Sequence, residues 1–337
     1  MSDWGWEDPP SAKRPPAEQP GREPSSPANS AADLAGSGAN PTHTRLDPRG
    51  ERFRRRRLGA VVTLVAVLAL AIAALGSGGS GHKAKLADPR VAHTASPRLT
   101  PAQTHALIHT EEEEAIDSVL AYTPAVVQGG ARGNEVALTF DDGPGPYTQQ
   151  LVNTLNALHV QATFFAIGLE ERYFSAGTLQ ELRSGDAVEN HTETHPMMAQ
   201  LSPHDQREQL QEQIYRIQLL GGPTPRLFRP PFGSFDATTF RELRRLHLLM
   251  ILWSTDTGDY ARPGVQAIEQ RAIAGAHPGA IILMHDAGGD RSETVAALPA
   301  IVRGLHALGL HPVTVPRLLL DDPPPPGQPI PTNLSGG

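Results

Sequence analysis

Two histidines four residues apart, His191 and His195, stand in the run HTETH. On a helical turn that spacing puts both imidazoles on one face. Two His plus a carboxylate, with positions left open, form the ligand set of a hydrolytic centre for zinc or a similar divalent ion. An isolated H-x-x-x-H is a weak signal. It gains weight from Asp141 and Asp142, an acidic pair placed directly after the apolar run VALTF. Neighbouring residues of a strand point to opposite faces, so the two carboxylates converge only if the chain turns there. Gly143-Pro144 supplies that turn chemistry. One carboxylate can then bind metal while the other takes a proton from the water to be activated. Arg229, Asp256, Asp259, His285 and Asp286 are the remaining candidates for chemistry.

Positioning such groups requires a scaffold, and the hydrophobic pattern supplies one. Short apolar runs fall at 136–140, 163–167, 187–189, 227–228, 249–253, 280–284 and 312–315. Amphipathic stretches separate them at 147–158, 170–183, 203–220, 236–246, 264–275 and 293–308. Seven strands alternating with six helices predict an α/β fold with a mostly parallel, helix-covered sheet. An incomplete barrel and an open doubly wound sheet both fit. In either, sites form at the carboxyl ends of the strands. Five strand ends here deliver the candidates named above, a sorting that scattered surface charge would not produce. No G-x-G-x-x-G or G-x-x-x-x-G-K follows a strand, which argues against a nucleotide.

Composition narrows the classes further. The chain has 337 residues, 32 Gly and 32 Pro, with 39% apolar and 5% aromatic content. That is too much Gly and Pro for packed core throughout. The absence of Cys excludes disulfides, Cys-ligated zinc, iron–sulfur clusters and a thiol nucleophile. Residues 131–320 carry 15 Arg against 20 carboxylates, an acidic balance unlike that of a nucleic-acid surface.

The Gly and Pro excess locates itself at the ends. Residues 1–57 are Pro-rich without apolar periodicity and read as a disordered tail, Trp4 and Trp6 included. Arg52 and Arg54–Arg57 then precede Leu58–Leu75, 18 residues without charge or Pro. As a helix this run is ~27 Å long, close to the hydrocarbon thickness of a bilayer. The basic flank predicts a single-span anchor with the N-terminus cytoplasmic and the rest outside. A cleaved signal peptide fits less well, because 57 residues precede the apolar run. A linker (76–130) follows, beginning GSGGSG and holding a helix over about 100–121 that starts at Thr100-Pro101. Residues 321–337, with four consecutive prolines, read as a second disordered tail.

In order along residues 130–316 stand TFDDGP (139–144), HTETH (191–195), RPPFG (229–233), DTGDY (256–260) and LMH (283–285). Each is short, but the ordered set resembles that of the polysaccharide deacetylases with the NodB homology domain, carbohydrate esterase family 4. The resemblance implies a distorted seven-stranded (β/α) barrel over about 131–320. It implies a divalent metal, Zn first and Co, Ni or Mn as alternatives, on Asp142, His191 and His195. Asp141 would be the general base, oriented by Arg229, and His285 the general acid, tuned by Asp259. The backbone N–H of Phe232 would face the oxyanion, while Leu283 and Tyr260 would contact substrate. The family usually has Trp at position 260 and often Tyr at 232; no metal or acid–base position departs from its pattern. The activity implied is removal of N-acetyl groups from an extracellular glycan, with peptidoglycan the polymer within reach of the anchor. O-deacetylation of xylan or another glycan, and glycan binding without catalysis, are the alternatives.

Overall fold

The computed structural model describes residues 100–331. The expected tail (1–57), membrane helix (58–75) and GSGGSG segment lie outside them. Among the described residues no helix is long and apolar enough to cross a membrane.

Strand β2 (Glu135–Asp141) is the hub of the sheet. Its period of two divides the residues cleanly. Val136, Leu138 and Phe140 pack outward with Leu151 and Leu155 of α2 (Thr148–Ala157) and with Leu298 and Ile301 of α8 (Ser292–Ala307). Ala137, Thr139 and Asp141 face the other way, where Ala137 meets Phe165, Leu249 and Ile281. On one side of β2 follow β3 (Thr163–Ala166), β4 (Ala187–Asn190), β5 (Leu227–Phe228), β6 (Leu249–Ile251) and β1 (Ala125–Val126). On the other lie β8 (Ile281–His285) and β7 (Thr255–Asp256), while β9 (His311–Val313) pairs with the start of β2. Every pairing is parallel.

All seven expected strands form, but the seven-stranded barrel needs correction. The described sheet has nine strands and runs from a β1 edge to a β7 edge without a ladder between them, so it is a curled half-barrel. The two extra strands are two residues long, too short to show a period. The seam has a physical cause. After β6 the chain crosses from one edge to the other, with Leu252 N–H donating to Val126 O at 2.8 Å and Ser254 N–H to Ile281 O at 3.0 Å. Three residues of connecting chain occupy the place of a ladder.

Helices α5 (Pro203–Leu219), α6 (Ala237–Leu246) and α7 (Val265–Ala274) fall within a residue of expectation at each end. Ser202 caps α5 ahead of Pro203, and Asp236 with Thr239 forms a capping box on α6. The single helix expected over 170–183 instead breaks at Phe174 (φ −122°, ψ 33°) into α3 (Gly168–Tyr173) and α4 (Ser175–Ser184). A Cβ on Gly177 would lie 2.8 Å from Pro144 Cβ. Glycine there lets α4 press against the turn that follows Asp142.

The packed unit extends past both expected limits. α1 (Pro101–Leu120) buries Ile116 and Val119 against Val315, Leu318 and Leu319 of α9 (Val315–Asp321), a helix not expected from the sequence. The tail expected to be disordered from 321 is tied down at least in part. Buried Asp322 accepts from the N–H groups of Arg132 (2.6 Å) and Gly133 (2.8 Å). Gln328 accepts from Val127 N–H (2.8 Å) and donates to Gln128 O (3.0 Å). Polar anchors, invisible to a hydrophobic pattern, hold this segment.

One buried acid makes a measurable demand on stability. Glu181 of α4 is fully buried and neither carboxyl oxygen has a hydrogen-bond partner. Burial, then the neighbouring Asp286, Asp186 and Glu171, push its pKa well above the usual carboxylate range. The folded state therefore binds a proton that the unfolded state releases above pH ~4.3, so stability falls as pH rises through that range and toward the folded pKa. Glu181→Met should remove this loss. The expected gain at pH 8 is on the order of 1–4 kcal/mol, or several degrees in Tm, shrinking toward pH 4. Thermal melts at both pH values measure it; equal melting curves at pH 8 would refute the account.

Candidate active site

The inward face of β2 carries Thr139 and Asp141 two residues apart, and both meet Arg229. The guanidinium is fully buried. Its Nη1 donates to Asp141 Oδ1 at 2.7 Å and Thr139 Oγ1 at 2.8 Å. Nε and Nη2 donate to Ile251 O and Leu252 O (3.3 and 3.1 Å), the carbonyls at the seam. The charge also stacks over Phe165, 4.2 Å from the ring centroid. Burial pulls the Arg229 pKa down and Asp141 opposes that pull. A guanidinium remains charged under such a shift, so the pair is a buried ion pair.

Asp142 follows with φ 73°, a left-handed backbone uncommon for a residue with a side chain. This turn, ahead of the cis peptide Gly143-Pro144, sends the Asp142 carboxylate toward the histidines. The expected helical turn between His191 and His195 does not occur. Both sit in a loop after β4, bent by left-handed Thr192 (φ 72°) and His195 (φ 59°). Two side-chain bonds shape the loop: Asn190 Oδ1 accepts from Thr192 N–H, and Thr192 Oγ1 from His195 N–H, both at 2.9 Å. Left-handed backbone at three site positions (142, 195 and Phe232, φ 56°) is strain that the surrounding structure must hold.

The outcome is a ligand set. Asp142 Oδ1 lies 3.1 Å from His195 Nε2 and 3.6 Å from His191 Nε2. Ligand atoms on a tetrahedral ion with bonds of ~2.0–2.1 Å stand about 3.3 Å apart, so the spacing fits. Nδ1 of His191 is 2.7 Å from Arg229 O. A carbonyl only accepts, so the proton belongs on Nδ1 and the Nε2 lone pair is free for metal. Burial alone would raise the Asp142 pKa, but hydrogen bonds to His191 and His195 and the nearby His285 and His191 charges hold it well below the usual range. These three residues can therefore hold a divalent cation. The other His–carboxylate grouping among the described residues, His204, Asp205 and Glu208, is exposed throughout and has no such anchoring.

Across the site, His285 ends β8 directly opposite Asp141 in the parallel register. Its Nδ1 is 2.8 Å from Asp259 Oδ1, and its backbone N–H donates to Asp259 Oδ2 at 2.8 Å. Burial would lower the His285 pKa; the bond to Asp259, its charge, and then Asp142 and Asp141 outweigh that and push it up to about 9. Leu283, two residues back on the same face, is buried. Phe232 and Tyr260 are half exposed, with their rings edge-on to His195 (4.5 Å) and His285 (5.6 Å). All ten expected site residues thus gather at one end of the sheet. Asp256 instead closes its own turn by accepting from Gly258 N–H, and Asp286 is buried in a hydrogen bond with the Thr148 hydroxyl.

Sequence reasoning missed three supporting residues. Thr139 bonds Arg229, and Thr294 Oγ1 donates to Asp259 Oδ2 at 2.8 Å. Arg291, nearly buried, donates to Ala287 O, Gly288 O and Tyr260 O. A Cβ on Gly288 (φ 71°) would fall 2.5 Å from Asp142 Oδ2, so this loop seats directly on the Asp142 carboxylate. Thr139 opens the TFDDGP run and Thr294 stands at an apolar-phase position of α8, and these were the available signals; Arg291 carried none.

A profile of the polysaccharide deacetylase family matches residues 128–251. A peptidoglycan-N-acetylglucosamine deacetylase of Bacillus cereus is 37% identical over 195 residues, covering 55% of this chain and 87% of the relative. The chain belongs to the polysaccharide deacetylase family. Its activity class is accordingly that of a deacetylase, a hydrolase. A chitooligosaccharide deacetylase of Sinorhizobium fredii is 32% identical over 210 residues, 59% of this chain and 98% of that protein. Among solved structures, a peptidoglycan N-acetylglucosamine deacetylase in complex with 4-naphthalen-1-yl-N-oxidanyl-benzamide superposes with a TM-score of 0.57. It is 29% identical, with 60% of this chain and 96% of that chain covered.

Proposed function

We propose that this deacetylase removes N-acetyl groups from an extracellular GlcNAc-containing glycan, peptidoglycan in the first instance. The observation that carries the reading is the split use of two adjacent carboxylates. Asp142 joins His191 and His195, while Asp141 keeps Oδ1 on Arg229 and leaves Oδ2 facing His191 Nε2 at 3.8 Å.

Asp142, His191 and His195 would hold a divalent ion, zinc the first candidate and Co, Ni or Mn the others, which would supply Lewis acidity toward water and the carbonyl. Asp141 takes the proton of the attacking water as the new C–O bond forms at the acetamide carbon. Arg229 holds that carboxylate oriented. The Phe232 N–H donates to the developing oxyanion. His285, its Nδ1 engaged by Asp259, protonates the amine nitrogen from Nε2 as the C–N bond breaks, releasing acetate and a free amino sugar. Leu283 borders the acetyl methyl and Tyr260 the sugar.

The relatives include a peptidoglycan deacetylase and a chitooligosaccharide deacetylase, so deacetylation alone does not select the glycan. Peptidoglycan is favoured by the Arg-flanked apolar run 58–75, which we read as an anchor holding the catalytic domain outside the membrane. Acetate release from purified peptidoglycan, chitin oligomers and acetylxylan, with and without EDTA, tests both levels. Expected are release from peptidoglycan above the other two, its loss on chelation and its return on adding Zn²⁺. Activity that survives chelation overturns the metal assignment, and a preference for acetylxylan overturns the amide substrate.

A further inference from the structure

The acid side of the site contains a hydroxyl that no motif assigns. Asp259 has four lone-pair directions, and three are occupied by fixed donors. Oδ1 meets the His285 ring, and Oδ2 receives both the His285 backbone N–H and the Thr294 hydroxyl, each at 2.8 Å. Asp259 and Thr294 are both buried to 1% exposure, so water does not substitute for a missing donor at low cost. The three bonds are not equivalent. Two come from His285 itself and would follow that residue if it shifted. The third comes from α8, an independent sixteen-residue helix, and is the fixed reference.

Its first turn is itself pinned. Arg291 holds three carbonyls on two loops, and Glu293 accepts from Gly264 N–H at 2.8 Å. Thr294 thus transmits the position of a rigid helix to one oxygen of the carboxylate.

We propose that Thr294 is a positioning residue of the deacetylation reaction. Its hydroxyl fixes Asp259 Oδ2, so that Oδ1 stands ready for the His285 ring and the opposite ring nitrogen points to the leaving amine. This rests on the functional reading above, in which His285 is the acid. The charged or titratable groups around His285 are Asp259, Asp141, Asp142 and the neighbouring Asp286, with the Tyr260 ring on its edge. Of the four carboxylates, Asp259 is the one hydrogen-bonded to the imidazole. Loss of the Thr294 donor leaves a buried carboxylate under-bonded and free to rotate, which weakens its hold on the imidazolium.

Thr294→Val keeps shape and removes the donor; Thr294→Ser keeps the donor and removes the methyl. Two readouts apply: the pH profile of kcat, and the His285 ring titration by NMR, assigned with His285→Ala. For Thr294→Val we expect kcat to fall about 10-fold or more. KM should stay within about twofold. Its basic limb and the ring titration should both move down by about half a pH unit or more. Thr294→Ser should restore all of these. A Thr294→Val enzyme with wild-type kcat and limb overturns the proposal, as does a Thr294→Ser enzyme as impaired as Thr294→Val, since packing rather than the hydroxyl would then matter. If the wild-type chain releases no acetate, the functional reading fails, while the ring titration still decides whether Thr294 positions Asp259.

Discussion

Asp141→Asn is expected to lower kcat/KM by ~10³-fold while leaving the bound metal in place. The amide is isosteric and its oxygen can still accept from Arg229, so the substitution removes the proton acceptor and little else in shape. The proposed metal ligands Asp142, His191 and His195 are untouched, and the proton on His191 Nδ1 is still held by Arg229 O. Asp142→Asn makes the opposite comparison and should lose metal and activity together. Asp141→Asn also has a structural cost, because the buried guanidinium loses its anion; truncating one partner of such a pair costs about 3–5 kcal/mol, less where a hydrogen bond survives. Metal content by mass spectrometry, a melting curve and acetate release separate the three effects. Retained turnover in folded, metal-loaded Asp141→Asn would remove this residue from the chemistry.

The second large effect belongs to Arg229→Lys. Charge is conserved, but the planar fork is not. Arg229 satisfies Asp141, Thr139 and two main-chain carbonyls at once while stacking on Phe165. An ammonium has three donors around one atom and no flat face. At least one seam carbonyl and part of the Asp141 orientation should be lost. We expect destabilisation on the order of 2–3 kcal/mol. The accompanying loss of kcat should be ~10–100-fold, with metal content unchanged. The last point follows from the two ends of the residue: its side chain serves Asp141, while its carbonyl serves His191. Unfolding in urea combined with metal analysis measures both. Loss of metal in step with kcat would show that the two ends are not independent.

The reach of sequence reasoning follows from range. Every strand long enough to show a period was legible, and so were the motif residues, because parallel α/β folds deliver chemistry to strand ends. The seam was not legible. Whether a curled sheet closes depends on a pairing between its edge strands, β1 and β7, which lie far apart in the chain, and neither of these two-residue strands stood out as an apolar run. The His191–His195 turn was misread as helical because four-residue spacing is ambiguous; Thr192 and His195 reach the same convergence through left-handed backbone. The break at Phe174 and the buried Glu181 depend on tertiary packing. Thr294 was missed because its role exists only once Asp259 is known to lie beside it.

The proline-rich end also bears on the company this protein keeps at high concentration. A half-barrel, unlike a closed one, keeps two free strand edges, and such edges recruit strands from other molecules. Beyond β1 the chain meets Gln328, which engages both Val127 N–H and Gln128 O, while Pro324 O accepts the Tyr122 hydroxyl. Proline has no N–H to offer an incoming strand. The segment that covers this edge is therefore itself a poor template for further pairing.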